Sequence, residues 1–115
     1  TADTMIWLMQ NPVLDKTIEF ADNRISLFAA QYGRCAVTGI DLMPHDIRCH
    51  HKVPLENGGT DEYGNLVLVT EAVHILIHAT LGETIQKYLN ELQLNKKQLE
   101  KLNRLRKLAG TSVIA

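Results

Sequence analysis

The chain has 115 residues, which fits one domain with a helical extension and excludes a complete multidomain enzyme. Hydrophobic residues make up 45% and charged residues 22%, which excludes a disordered chain, and with only 5% aromatic residues the core must be aliphatic. The net charge of −1 argues against polyanion binding by the chain as a whole, and no apolar run approaches the roughly 18 residues of a membrane span.

In chain order, Thr4 is expected to cap a short helix over 5–10, which Pro12 breaks. Residues 14–20 are ambiguous. Asp22 is the expected N-cap of a helix carrying Ile25, Leu27, Phe28 and Ala29 and ending at Gly33. A hairpin-like region follows: a strand over 35–37, a turn at Thr38-Gly39, and an extended stretch over 46–53 that stops at Pro54. Residues 56–64 are loop by composition, and 66–69 are a four-residue apolar strand. Thr70 caps a helix with Val73, Ile75, Leu76 and Ile77, and Gly82 marks a break. A helix over 83–92 places Ile85, Tyr88, Leu89 and Leu92 at helical spacing. Asn95 with Gln98 forms a capping box for the last helix, whose stripe is Leu99, Leu102, Leu105 and Leu108. Gly110 ends it, and 111–115 read as a frayed tail. From the middle the order is strand, long loop, strand, helix, an expected α+β arrangement. No leader with a charged start and an apolar middle opens the chain, so no signal peptide is expected.

Charge is segregated. Residues 95–107 hold Lys96, Lys97, Lys101, Arg104, Arg106 and Lys107 against Glu100, a net of +5, while the remainder has six basic and twelve acidic residues, a net of −6. The last helix is either a polyanion surface or a solvated face. Two cysteines, Cys35 and Cys49, are too few for a disulfide framework, and reduced thiols are expected.

Four of the five histidines are His50, His51, His74 and His78. His74 and His78 are four apart on a helix, one turn from each other, which suits joint metal ligation. The alternative is two half-buried histidines satisfied by backbone groups. A zinc protease would need Glu directly after the first histidine, and Ile75 stands there. His50 and His51 are adjacent on an extended segment, so alternation sends them to opposite faces, one as a ligand and one as a free imidazole. Two histidines from the helix and one from the strand leave a metal open to water and substrate. Cys49 points away from His50 and is not expected as a fourth ligand.

These residues resemble the His-Asn-His (HNH), or ββα-metal, nucleases. The resemblance rests on His50-His51-Lys52-Val53-Pro54, Gly58-Gly59-Thr60-Asp61, Asn65-Leu66 and His74-x3-His78. The steps are 14 positions from His51 to Asn65, nine to His74 and four to His78. Asp22-Asn23-Arg24-Ile25-Ser26-Leu27 and Tyr32-Gly33-Arg34-Cys35-Ala36-Val37-Thr38-Gly39 look like the entry of the endonuclease domain at the C-terminus of bacterial group II intron-encoded reverse transcriptase/maturases. Glu83-Thr84-Ile85-Gln86-Lys87-Tyr88-Leu89 and the Leu/Lys-rich end look like its tail. That resemblance covers roughly residues 14 to 110.

The resemblance implies a small ββα-metal core over 22–81. A helical segment over 1–21, a C-terminal helical extension over 82–110 and a tail over 111–115 flank it. It implies His51 as the general base and Asn65 as the residue that holds the loop or the base, or in some branches binds the metal, both in the catalytic set. His50, His74 and His78 would ligate one divalent metal. Three imidazoles favour Zn, Ni, Co or Mn in binding strength, whereas activity is expected with Mg or Mn. Family members often carry two C-x2-C pairs that bind a structural zinc. Here the first pair reads Cys35 and Thr38, and the second would fall near Thr70 and Val73, neither of them cysteine, so no structural zinc is expected. The implied reaction is nicking of the second strand of double-stranded target DNA, giving a 3′ end that primes reverse transcription. The implied partners are intron RNA and the reverse transcriptase/maturase domains in a bacterial cytoplasm, with no membrane. The alternatives are an inactive fold of this type that grips nucleic acid through 95–107, and a metal-bound scaffold without catalysis. Lys52 and Arg48 are candidate phosphate contacts or solvated strand residues. Glu56 or Asp61 either orients a ligand histidine or is an ordinary loop charge. His45 reads as surface, and Trp7 as the anchor of the N-terminal segment.

Overall fold

The structure, a computed structural model, describes residues 2–115; residue 1, at the start of the expected N-terminal segment, lies outside them. Helix α1 (Ala2–Gln10) begins before Thr4, so Thr4 lies within it and faces the interior rather than capping it. Leu8, one turn on, shares that buried face, whereas Trp7, the expected anchor, is 37% exposed.

Helix α2 (Ile18–Ala30) starts at Thr17, not Asp22, and the Thr17 hydroxyl accepts the Phe20 N–H at 3.0 Å. The early start brings Phe20 into the core, a burial that a cap at Asp22 would forgo. Helix α2 therefore crosses the expected boundary at residue 21. Arg24 is buried and donates to the carbonyls of Leu8 at 3.0 Å and Asn11 at 2.6 Å, tying α1 to α2.

Residues 35–37 are not a strand. The Cys35 N–H goes to Ile40 O and the Gly39 N–H returns to Cys35 O, so the segment is a tight loop closed by a lone bridge between Arg34 and Asp41. The extended stretch over 46–53 contracts to β1 (Arg48–His51). It pairs antiparallel with β2 (Leu66–Val69), and His50 faces Val67 while His51 faces Leu66. Between them, residues 55–57 and 63–65 form single 3-10 turns in the expected loop. All of β2 is buried. Its outer edge is covered by Gln31, whose amide donates to Leu68 O and accepts from Leu68 N–H, both at 3.0 Å.

Thr70 caps α3 (Glu71–His78) as expected, accepting the Val73 N–H at 3.3 Å. Helix α4 (Gly82–Leu92) takes Gly82 as its first residue rather than as a break, and Ile85, Tyr88, Leu89 and Leu92 are half-buried. Helix α5 (Lys96–Leu108) has the expected capping box, with both Asn95–Gln98 bonds at 2.9 Å. Its buried face runs Leu102, Leu105 and Arg106 and continues to half-buried Ala109, an i, i+3, i+4, i+7 set. Leu108 lies off that set and is 48% exposed.

The tail is docked rather than frayed. The Asn103 amide pairs in both directions with the Ile114 backbone at 2.8 Å, and Arg106 Nε donates to Ser112 O at 2.7 Å. The chain is thus α+β, with five α-helices and one two-stranded antiparallel sheet among the described residues. No helix among them is long and apolar enough to cross a membrane.

Candidate metal centre

Strand alternation sorts the side chains of β1 and β2 onto two faces. Arg48 and His50 face α3: Arg48 pairs with Glu71 at 3.4 Å, and the His50 ring meets those of His74 and His78 at centroid distances of 5.2 and 5.1 Å. His51 takes the other face and stacks on Phe20 of α2 at 5.5 Å.

The geometry brings together His50, His74 and His78, as the sequence reading expects. One nitrogen from each lies within 4.8 Å of the other two. His50 is 2% exposed, and its Nε2 has no hydrogen-bond partner among the described residues. A buried, unpaired acceptor or donor is costly, so this nitrogen fits a missing partner such as a metal ion. His78 is exposed, so the cluster opens outward. Burial first, then the neighbouring His74, His78 and His51, pushes the His50 pKa down to about 3. Burial and then His78 also lower that of His74. Both rings are therefore neutral near pH 7, the ligating form.

That arrangement makes the metal-free chain sensitive to acid. Unfolded His50 binds a proton near its ordinary pKa of 6.5, whereas folded His50 resists protonation down to about 3. Between those values the unfolded state holds more protons. Stability is therefore complete above the upper value and falls as the pH drops toward the lower one. Thermal unfolding in the presence of a chelator is expected to show Tm declining through this window. A Tm that stays level there would contradict the depressed pKa.

Cys49 lies on the α2 face with His51, and burial pushes its pKa up to about 12, so it remains a thiol and stands outside the cluster. Cys35 is buried, and both cysteines are free.

A cleft of about 400 Å³ is lined by all four histidines together with Lys16, Phe20, Pro54 and Glu56. Lys16 sits over the Phe20 ring, 5.6 Å from its centroid, and puts a positive charge on the rim. Sequence reasoning passed over Lys16 because it lies in the ambiguous 14–20 stretch.

Asn65 spends its side chain on the loop. Its Oδ1 accepts the Val53 N–H at 2.9 Å, and its Nδ2 donates to Val53 O at 3.0 Å and Thr60 O at 2.8 Å. Gly59 packs so closely that an added Cβ would lie 1.8 Å from Val53 O, which only glycine permits. Asp61 engages a histidine, though not a member of the cluster: its Oδ1 is 2.7 Å from His51 Nε2. Glu56 is an exposed cleft residue, and His45 is exposed.

Of the six basic residues on α5, five are exposed and Arg106 is not. It is buried and donates to the carbonyls of Leu76 and Ala79 at the end of α3, so it serves the interior rather than a polyanion. No family model matches the chain, and no curated protein matches it either.

Proposed function

We propose that the chain is a metal-dependent DNA endonuclease domain of the His-Asn-His (ββα-metal) type, with the unit from β1 to α3 as its catalytic core. The observation that carries this reading is the division of the four histidines. Three imidazoles converge on one point, and the fourth, next along the strand, is held apart in the same cleft.

In this reading His50, His74 and His78 hold one divalent ion, Mg or Mn in function. When bound, the ion supplies positive charge beside the scissile phosphate and the departing oxygen. His51 takes a proton from the attacking water. The water oxygen bonds to phosphorus as the bond from phosphorus to the 3′ oxygen breaks. That oxygen takes a proton from solvent, and His51 returns its own to solvent. The ends left are a 5′-phosphate and a 3′-hydroxyl. Asn65 acts by positioning: it clamps the loop between β1 and β2 and does not face the reacting atoms. Lys16 and the exposed Lys96, Lys97, Lys101, Arg104 and Lys107 supply the backbone contacts with DNA. By the sequence resemblance, such an activity would serve group II intron mobility. There it would cut the second strand, alongside intron RNA and reverse transcriptase/maturase domains, in a bacterial cytoplasm.

The test is relaxation of supercoiled plasmid at low salt with Mg, Mn or EDTA. Nicked circles with metal and none with EDTA are expected. His50→Ala should need at least about 10-fold more Mn for half-maximal nicking, since even residues behind a ligand change affinity by that much. Equal nicking in EDTA would sink the reading. DNA binding without cleavage would favour the inactive binding module.

A further inference from the structure

We infer that Asp61, itself held by Thr17, is a positioning residue that fixes the tautomer of His51 and so leaves Nδ1 as the nitrogen that accepts a proton. The inference builds on the proposed role of His51 as the base, and it names the residues that set up that role.

His51 Nε2 lies 2.7 Å from Asp61 Oδ1. A carboxylate only accepts, so the imidazole must carry its proton on Nε2. Nδ1 is then the lone-pair nitrogen, and it has no hydrogen-bond partner among the described residues. His51 lines the cleft that the three clustered histidines share. A ring held the other way round would turn an N–H toward the reacting water.

The second oxygen of Asp61 is also taken. The Thr17 hydroxyl donates to Oδ2 at 2.7 Å. The same hydroxyl already accepts the Phe20 N–H as the N-cap of α2, so its proton is directed toward Asp61. Asn23 Nδ2 holds the Asp61 carbonyl at 2.9 Å, and Phe20 stacks on the flat face of His51 with 27° between the planes. Thr17, Phe20 and Asn23 are spaced i, i+3, i+6 over the N-cap and first two turns of α2. One helix end thus fixes the base on its face and at its edge. Asp61 is held in turn as a carboxylate by hydrogen bonds from His51 and then Thr17, which keep it below the usual carboxylate range. An ordinary loop charge would have none of these partners.

Asp61→Asn preserves the shape and reverses the chemistry. Thr17 keeps the amide oxygen toward itself and turns the NH2 toward Nε2. The imidazole must then accept there and carry its proton on Nδ1. Nicking kcat is expected to fall about 100-fold or more, with KM for plasmid and the Mn requirement unchanged. Adding Thr17→Val to Asp61→Asn lets the amide rotate, and is expected to restore part of the lost rate.

The decisive readout is the 15N spectrum of the His51 ring, read where its shifts no longer change with rising pH and assigned by difference from His51→Ala. Wild type should show the Nε2–H form and Asp61→Asn the Nδ1–H form. A residue that merely supports the fold would lower Tm without changing this signature. Nδ1–H in wild type, or Nε2–H retained in Asp61→Asn, would overturn the inference. A wild type that nicked nothing would defeat the endonuclease reading, and the spectrum would still decide the tautomer. The wild-type spectrum decides it even if Asp61→Asn does not fold.

Discussion

His51→Ala is expected to lower nicking by about 10² to 10⁴-fold, the usual contribution of a positioned proton acceptor, with metal and DNA affinity unchanged. His51 lies outside the group of three that can share an ion, and its ring packs on the α2 face rather than the α3 face. Removing it uncovers part of Phe20 and leaves Asp61 with Thr17 as its remaining side-chain partner. It breaks no contact among His50, His74 and His78. Single-turnover nicking gives the rate, and a calorimetric zinc titration gives the affinity. If zinc affinity fell together with the rate, the separation of base from ligands would be wrong.

Arg106→Ala is expected to destabilise the fold by about 3 kcal/mol, in the range for removing a buried charged donor from several acceptors. The side chain is 2% exposed and donates to the carbonyls of Leu76, Ala79 and Ser112. Leu76 and Ala79 stand at the C-terminal end of α3, where helical carbonyls lack intrahelical donors and where a positive charge also favours the helix dipole. Ser112 belongs to the tail, so one guanidinium joins α5, α3 and the last residues. His78 is on that same end of α3, between the two anchored carbonyls. Urea unfolding of wild type and variant measures the difference. A loss under about 1 kcal/mol would mean that water replaces the guanidinium at these carbonyls.

The convergence of the histidines was legible because it is encoded in short spacings. A four-residue step on a helix and an adjacent pair on a strand fix which rings share a face. Strand β2 and the caps at Thr70 and Asn95 were legible for the same local reason. What failed was decided by distant contacts. Thr17 and Asp22 are both good caps; Thr17 wins because the added turn buries Phe20. Residues 35–37 have strand composition, yet their backbone groups close on Ile40, Gly39 and Leu68 instead of forming a ladder. The link from Asp61 to His51 spans ten residues of loop and depends on a hydroxyl 44 positions away from Asp61, which no periodicity reports. Arg106 looked like part of a basic surface because charge counts carry no direction, whereas the buried face of α5 takes it inward.

The pairing of His50 with Val67 and His51 with Leu66 has a meaning beyond sheet geometry. Two chemically identical side chains, neighbours in the chain, become different only through the parity of their positions. If β1 slipped by one residue against β2, every side chain would change face. His51 would enter the cluster and His50 would meet Asp61's side, so the proposed ligand and the proposed base would trade places without any change of sequence. Asn65, which bonds both the N–H and the carbonyl of Val53 just past the strand, is the pin that forbids that exchange. In this small sheet, register is the information that tells two histidines apart.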